Sequence, residues 1–598
     1  MALITRFDDL PDLVLIEFFS YLLSIDVLWV FARLNHRLTM LITERGFFYH
    51  INLSLARRHQ FNTILRCLPL KDIQSLRIDS DASPLQLTCW PYLPHLKILS
   101  IIGAYNHNDL LLFISLHAAT LTHLIIKSNE RLIPDGFSFK LEYPTGDLMM
   151  LIKNIFLIPL HSLRSLDFGM NYYGTCWPIT TSILSLIYLR LALPCMNTFV
   201  RLISTEPLYD TLRQLHVKVG NSYCNSRSSV SVSNLSIRMA NLHTFTLVQT
   251  FFSKLRIEWT LFEILTSSKV MPVLRRANVS IFININDINR ISSSPLFTDH
   301  RHVDIHFAFN LINCPQYIKV KQYIPRGNRF HSREIVGATF VVKYFSDRSK
   351  WVIDGDPFNR GHQYHHHMWY TLPWAFDEFF HEYLPDRCIM ETQLFEIPSQ
   401  TMITINQSCL RTLDASGQML SSPICFLPYV ALSDCIETFH FSYYNTCIPI
   451  YLSALRNITL ANSTNCLNYC RSFPPTIRSI RILLFYTYPN YAPPNWSVVL
   501  HSLSHLPQRS SLRIFMYDLP KTVDDRSCQI IAEIAYLFSD FGFCFRRKFE
   551  FPDDNLDPVF NDHTKFIKQL GHCILLLSLD EEPYYSIEDD GCGLTVWL

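Results

Sequence analysis

The stretch Leu96-Lys97-Ile98-Leu99-Ser100-Ile101, of the form L-x-x-L-x-L, decides the fold. Its last three residues alternate apolar and polar side chains, the period-2 pattern of a strand that buries one face. The middle leucine of this pattern recurs at intervals of 23 to 30 residues, apart from one interval of 42. The middle positions are Leu76, Leu99, Leu124, Leu166, Leu189, Leu215 and Phe245. Less complete copies begin near the C-terminus at Leu410, Ile436, Leu455 and Ile477. The pattern therefore predicts a series of similar strands.

Most of these intervals match the 20–29-residue period typical of leucine-rich repeats, and the body of the chain resembles that family. Each repeat would supply one strand and one return segment, and stacking would bury both. Between the strands, residues 109–119 and 196–204 have helical spacing, so we expect strands and helices to alternate. The repeats are degenerate, because only Asn129 and Asn171 fill the position that is usually Asn or Cys. An ordinary α/β domain that contains the motif by chance is the alternative.

Composition excludes several classes of protein. The 598 residues are 48% hydrophobic and 17% charged, whereas about 25% charged residues are usual in a globular domain. A disordered chain would have fewer apolar residues, and the net charge of +1 offers no basic surplus for nucleic acid. Only 16 residues are glycine, and neither of the common Gly-rich phosphate-binding motifs occurs. We expect a core-rich protein that does not bind nucleic acid.

The cysteines and the N-terminal residues bear on the cellular compartment. The 17 cysteines contain no C-x-x-C pair, which favours free thiols in a reducing compartment. Acidic residues interrupt the first residues where a signal peptide needs an apolar stretch. The apolar stretch from Leu13 to Ala32 contains Glu17 and Asp26, so two short helices are expected there instead of a membrane span. The expected location is cytoplasmic and/or nuclear, with no membrane association.

The N-terminal residues resemble the F-box family. Leu10-Pro11 opens an apolar helix that ends at Ser20-Tyr21-Leu22, and residues 25–38 resemble the second helix of that motif and the start of its third. The resemblance covers Arg6 to His50, although Leu13 stands where the family usually has Glu. The complete expectation is an α/β protein in which an N-terminal three-helix F-box is followed by an irregular, horseshoe-like leucine-rich-repeat solenoid.

The F-box resemblance implies a function. It implies a substrate-recognition subunit of a cullin–RING (SCF-type) ubiquitin ligase that binds the Skp adaptor, and through it cullin, while the body holds a protein substrate whose binding residues are unknown. Independently, this helical segment has more apolar residues than its own small core can bury, which indicates a docking surface for a partner helix. The alternative is a helical cap on a non-catalytic scaffold without a ligase role. The residues expected to contact the adaptor are Leu10, Pro11, Leu15, Phe18, Phe19, Leu22 and Leu28.

The sequence divides into four predicted segments. These are the F-box module (1–52), a first solenoid part (53–313), an inserted segment (314–401), and a second solenoid part with a C-terminal cap (402–598). Within the insertion, Thr339–Tyr344 and Lys350–Ile353 predict a β-hairpin.

The insertion also contains the strongest candidate for metal chemistry. Four histidines fall within His362–His367, and they could bind a metal in a metal-dependent enzyme. Their spacing matches no known ligand set, however, and neighbouring histidines point in different directions on a strand or helix. We therefore expect a solvated loop flanked by aromatic residues, with no metal, no cofactor and no catalytic residues.

Overall fold

The computed structural model describes most of the first half of the chain and separate segments of the second. The described residues are 10–22, 24–31, 34–44, 48–53, 61, 64–66, 68–79, 87, 90–102, 107–127, 151, 153–169, 185–219, 237–249, 259–283, 287–291, 294–315, 338–343, 364–370, 375–376, 389–394, 412–415, 438–441, 457–461, 477, 479–485, 496–504, 511–517, 525–538, 540–546, 569–570, 572–573, 586–589 and 593–597. The chain divides into two units. Unit 1 comprises Met1–Arg131, Tyr143–Thr246 and Ser267–Leu274, and unit 2 comprises Leu132–Glu142, Leu247–Thr266 and Arg275–Leu598.

Unit 1 begins with three helices and continues as parallel strands. Its helices are α1 (Asp12–Ser20), α2 (Ser24–Phe31), α3 (His36–Glu44), α4 (His107–Leu116), α5 (Met196–Ile203) and α6 (Leu208–Thr211), with a short 3-10 helix at Leu70–Asp72. Its strands are β1 (His50–Asn52), β2 (Ser75–Asp79), β3 (Ile98–Ile102), β4 (His123–Lys127), β5 (Ser165–Asp167), β6 (Tyr188–Leu193) and β7 (Gln214–Val219). Each of these strands pairs in parallel with the next one along the chain. Strand β8 (Thr244–Gln249) spans the boundary between the units.

The register of unit 1 aligns the middle leucines of the sequence motif. They lie opposite one another from β2 to β7 and are fully buried; they are Leu76, Leu99, Leu124, Leu166, Leu189 and Leu215. Residues on either side of them are more exposed, so one sheet face is apolar and packed. One return segment, α5, packs against β6 and β7. The predicted helices at 109–119 and 196–204 are confirmed as α4 and α5.

Unit 2 combines parallel and antiparallel strands. Its elements are α7 (Trp259–Leu265), β9 (Arg276–Ile283), α8 (Ile288–Ile291), α9 (Pro295–Thr298), β10 (Asp304–Pro315), β11 (Ala338–Lys343), β12 (Tyr364–Tyr370), β13 (Ile389–Leu394), β14 (Thr412–Ala415), β15 (Thr438–Phe441), β16 (Asn457–Ala461), β17 (Ser479–Phe485), α10 (Trp496–Leu503), β18 (Ser511–Tyr517), α11 (Asp525–Leu537), β19 (Asp540–Arg546), β20 (Ser586–Asp589) and β21 (Gly593–Trp597). Strands β9 and β10 are parallel, and β10 also pairs antiparallel with β12. An eight-stranded sheet has the order β14 to β19 followed by β21 and β20, with the last two strands antiparallel.

Aromatic side chains fill the core of unit 2 beside β10. The rings of Phe307 and Phe309 stack with their centroids 4.4 Å apart, and Trp259 meets Phe309 edge-on at 6.0 Å. The Arg301 guanidinium in this region contacts the carboxylate of Asp299 and donates a hydrogen bond to the Thr266 carbonyl oxygen at 2.8 Å. Strand β9 is buried on both faces, as expected for a parallel strand covered on each side.

The architecture predicted from the sequence is wrong. The chain is α/β, but the structure does not show an N-terminal three-helix F-box followed by a horseshoe-like leucine-rich-repeat solenoid. It shows parallel sheets of the α/β class that also take in antiparallel strands, and helices occupy only some of the connections. The physical reason is that L-x-x-L-x-L reports a buried strand with parallel neighbours. Any parallel α/β sheet can contain such strands.

The predicted insertion is described in part, and one of its details needs correction. The first strand of the predicted hairpin exists as β11, but its described partner is β13, where Val341 lies opposite Glu391. The second hairpin strand, Lys350–Ile353, lies outside the described residues. The histidine segment is not a loop from Tyr364 onward, because β12 pairs with β10. Unlike the leucine motifs, the sequence of β12 has no alternation of apolar and polar residues, so periodicity did not indicate a strand.

Candidate docking surface on the N-terminal helices

Local hydrogen bonds and charge define the N-terminus of helix α1. The carbonyl oxygen of Pro11 accepts hydrogen bonds from the backbone N–H groups of Val14 and Leu15, at 3.0 and 3.1 Å. Proline is tolerated at this position because a backbone N–H there would have no partner within the helix. Asp12 adds a negative charge to the first turn, where the helix dipole favours it. The N-terminus of α1 is therefore fixed by local interactions.

A charged contact from α3 holds the same end of α1. Arg37 donates from Nη2 to the Leu10 carbonyl oxygen at 2.7 Å and to Asp12 Oδ1 at 2.5 Å, and from Nε to Asp12 Oδ1 at 3.1 Å. At the start of α3, the Asn35 side chain accepts the Leu38 N–H at 2.8 Å and caps that helix. The side chains of Arg37 and Asp12 are about half exposed, so their attraction is partly screened. Their main consequence is a fixed orientation of α1 on α3.

One face of α1 packs inside unit 1. Leu15 and Phe19 are fully buried, and the Phe19 ring contacts Phe31 of α2 at a centroid distance of 5.0 Å. Leu28 of α2 and Ile42 of α3 are buried in the same N-terminal region. These residues form the small core that three short helices can share.

The opposite face of α1 is apolar and exposed. Leu13 and Tyr21 are 73% and 80% exposed, and Val14 and Phe18 are 47% and 42% exposed. We call these four residues the α1 outer face. They follow one another at helical spacing on one side of α1, and Phe18 is steadied by an edge-on contact with Phe31 at 6.2 Å. The Tyr21 hydroxyl donates to Glu17 Oε1 at 2.8 Å, which orients the outermost ring.

This exposure is energetically unfavourable for an isolated surface. Fully burying a Leu or Phe side chain is worth about 1.5–3 kcal/mol, so leaving several exposed on two helical turns forgoes a comparable gain for each. Clusters of large apolar side chains on a protein surface typically mark sites where another molecule binds. Helix α1 is thus apolar on two faces: its inner face packs in unit 1, and its outer face is exposed in the manner of a helix-docking site.

The structure separates the seven residues predicted to contact the adaptor into three groups by exposure. Leu15, Phe19 and Leu28 are buried within unit 1. Leu10 and Leu22 are half-buried, and Pro11 and Phe18 are exposed. Sequence reasoning did not place Leu13 or Tyr21 in the set, although they are the most exposed apolar residues of α1. The wide apolar arc of the helix is the signal that could have found them.

No metal site is seen in the part of the chain that the structure describes. No three His, Cys, Asp or Glu side chains converge there as metal ligands would. The side chains of His362–His367 lie outside the described set, and only the backbone of β12 is placed. Likewise, no described helix is long and apolar enough to cross a membrane.

One buried histidine has a perturbed pKa. Burial lowers the pKa of His117, and the hydrogen bond with the Phe113 carbonyl oxygen partly opposes the shift. The ring packs against Tyr92 and Phe113, with centroid distances of 5.4 and 4.5 Å. No other ionisable group of the described residues lies in hydrogen-bond contact with it. His117 is thus a structural residue of the α4–β4 region.

The chain matches no protein-family model and no curated protein sequence.

Proposed function

We propose that this chain is the substrate-recognition subunit of an SCF-type cullin–RING ubiquitin ligase. In this proposal the N-terminal helices bind an Skp adaptor, which connects the chain to cullin, and the remainder of the chain binds a protein substrate. The observation that carries the proposal is the exposed apolar outer face of α1. It lies within the residues whose sequence resembles the F-box.

In this proposal, the exposed residues of α1 make the contact. Phe18 and Pro11 belong to both the resemblance and the exposed surface, and Leu13, Val14 and Tyr21 extend that surface along α1. The buried residues Leu15, Phe19 and Leu28 would act indirectly, by holding α1 against α2 and α3. The contact with the adaptor would therefore be made by the α1 outer face and not by the whole predicted set.

The chain itself would carry out no bond-forming step. It would hold the substrate beside a ubiquitin-conjugating enzyme, which raises the effective concentration of substrate lysines near the activated ubiquitin. Such a ligase operates in the cytoplasm and/or the nucleus, so we place the protein there. The proposal needs neither a metal nor a cofactor.

The proposal is tested by measuring binding of purified Skp adaptor to the full-length chain. The test variant is Leu13→Ala/Phe18→Ala on the α1 outer face. The matched control is Leu112→Ala/Leu157→Ala, which removes exposed apolar side chains elsewhere in unit 1. We expect wild type and the control variant to bind alike, and the test variant to bind at least about tenfold more weakly, as loss of about 1.4 kcal/mol would give.

If wild type does not bind the adaptor, the ligase role is wrong, and a non-catalytic scaffold becomes the better description. If the control variant weakens binding as much as the test variant, the α1 outer face is not the contact. The rival enzyme reading, based on His362–His367, is checked separately by metal analysis of the purified chain. Stoichiometric zinc, iron or manganese would favour it.

A further inference from the structure

Unit 1 carries a row of basic side chains along the amino-terminal ends of its strands. Each residue of this row follows the first apolar position of an L-x-x-L motif, so it points away from the packed face of the sheet. Its members from β2 onward are Gln74, Lys97, Thr122, Arg164, Ile187, Arg213 and His243. Lys97, Arg164 and Arg213 are exposed, and the row contains no carboxylate. We call these seven residues the basic row.

The backbone fixes the spacing of this row. The Thr122 N–H donates to Lys97 O at 2.8 Å, and the Arg164 N–H donates to Thr122 O at the same distance. The ladder continues through Ile187 and Arg213, with distances of 2.7 and 2.9 Å. Because the strands are parallel neighbours at about 4.8 Å, the backbone positions of Lys97 and Arg164 lie two strands or about 10 Å apart, and so do those of Arg164 and Arg213.

These cations are not neutralised within the described part of the chain. Among the described residues, none of Lys97, Arg164 and Arg213 forms an ion pair; Arg164 donates only to the Ser185 carbonyl oxygen, at 3.3 Å. The nearest carboxylates along the chain are those of Asp167 and Asp210, which lie three residues from Arg164 and Arg213. The Asp167 carboxylate lies near Lys127 and Arg190 instead, and among the described residues no ion pair joins Asp210 to the basic row. His123, the first residue of β4, is also exposed and lies opposite Ser165, the residue after Arg164.

We propose that the basic row binds an acidic segment of a partner protein in an extended, polyproline-II-like conformation. That conformation has three residues per turn and rises about 3.1 Å per residue, so carboxylates at every third position lie about 9.3 Å apart on one side. This repeat matches the two-strand spacing of Lys97, Arg164 and Arg213. A β-strand does not match, because its side chains on one face repeat at about 6.7 Å.

Charge complementarity favours a peptide over nucleic acid. Only three fixed cations lie in the basic row, so a polyanion would release few counterions there, and the whole chain has a net charge of only +1. The inference deepens the proposed function, because it names the chemistry of the protein substrate. It rests on that function only in that the bound partner is called a substrate. The binding surface and the α1 outer face share no residue.

The test uses the full-length chain and fluorescent peptides of defined sequence. The probe is a ten-residue peptide with Asp at positions 1, 4, 7 and 10 and Pro elsewhere. One control peptide replaces Asp by Asn, and a second places four Asp residues at every second position. We expect saturable binding of the probe that weakens when NaCl is raised, at least fivefold weaker binding of the second control, and no binding of the Asn peptide.

Matched variants locate the binding surface. Lys97→Gln/Arg164→Gln/Arg213→Gln removes the three cations of the row. Lys153→Gln/Arg201→Gln/Arg238→Gln removes three exposed cations elsewhere in unit 1. We expect the first variant to bind the probe at least about tenfold more weakly and the second to bind within twofold of wild type. Circular dichroism of both variants verifies that they are folded.

Several outcomes would overturn the inference. They are absence of binding to the probe, equal binding of either control peptide, or equal loss in both triple variants. Tighter binding of polyuridylate RNA than of the probe, lost in the first variant, would assign the row to nucleic acid instead. Because this assay contains no adaptor and the adaptor assay contains no peptide, failure of one proposal is distinguished from failure of the other.

Discussion

The backbone N–H of Leu93 donates a hydrogen bond to Nε2 of His117 at 3.0 Å, across 24 residues of sequence. On the other side of the ring, Nδ1 lies 2.8 Å from the Phe113 carbonyl oxygen, so Nδ1 donates and Nε2 accepts. This geometry requires a neutral imidazole. The contact joins the end of α4 to the segment that leads into β3, and His117 is only 1% exposed.

We predict that unit 1 loses stability as the pH falls through the range below 6.5. Burial lowers the pKa of His117 in the folded chain below its ordinary value of 6.5. When the pH falls below 6.5, the unfolded chain therefore binds more protons than the folded chain does. The stability that neutral His117 contributes is complete above pH 6.5. It decreases as the pH falls toward the lowered pKa of His117 in the folded chain. Thermal melting at pH 7.5 and 5.5 measures it.

The variant His117→Gln isolates this effect from other titrating groups. We expect the variant to melt below wild type at pH 7.5, because it loses the ring and its two hydrogen bonds, and the difference to narrow at pH 5.5. The control is His161→Gln at an exposed position. A melting difference that stays constant between the two pH values would contradict the prediction.

A second prediction concerns the contact that positions α1. Arg37→Gln should increase hydrogen exchange of the α1 backbone amides by about two- to fivefold, because a half-exposed ion pair contributes no more than about 1 kcal/mol. Asp12→Asn should give a similar increase in exchange. The double variant should exchange little faster than either single variant, because both changes remove the same interaction. Exposed Arg201→Gln serves as the control, and additive effects of the two single changes would refute the pairing.

The strands of unit 1 were predictable because one physical requirement repeats in each. Leu99, Leu124 and Leu166 must enter the same apolar layer, so their motifs carry the same alternation. The arrangement of those strands within the fold was not predictable from that alternation, and the expected solenoid proved wrong. Neighbouring parallel strands satisfy the pattern in either architecture, while the connections between them decide the fold.

The candidate docking surface was only partly predictable for a similar reason. Phe18 and Phe19 are adjacent on α1, and both fit an apolar arc at helical spacing, yet one is exposed and the other buried. Phe31 of α2 contacts both rings, so which of them faces inward depends on how α1 packs on α2 and α3, and the sequence of α1 alone does not specify this. The basic row was overlooked because its residues occupy the variable positions of the motif and lie far apart in sequence.

A third prediction addresses the aligned leucine layer. Leu124→Ala should destabilise unit 1 by about 2–5 kcal/mol, because it removes buried methyl groups and leaves a cavity between Leu99 and Leu166. Its matched control is the neighbouring Ile125→Ala, which truncates a half-buried side chain on the other face of β4. We expect the first variant to melt several degrees lower than the second. Equal melting temperatures would mean that the layer is not the dominant core.

The last prediction concerns the turn after β5, where Gly169 has a φ of +70°. The Gly169 N–H donates to Asp167 Oδ1 at 2.7 Å, and that carboxylate also lies 3.7 Å from Lys127 Nζ. A Cβ at position 169 would meet only the Lys127 side chain, at 3.9 Å, so space is not the constraint. Gly169→Ala should therefore cost about 1–2 kcal/mol through left-handed backbone strain alone, and Gly169→Asn should cost less because asparagine tolerates that region. Thermal melting of both variants checks the order, and an alanine variant as stable as wild type would show that the turn does not hold this conformation in solution.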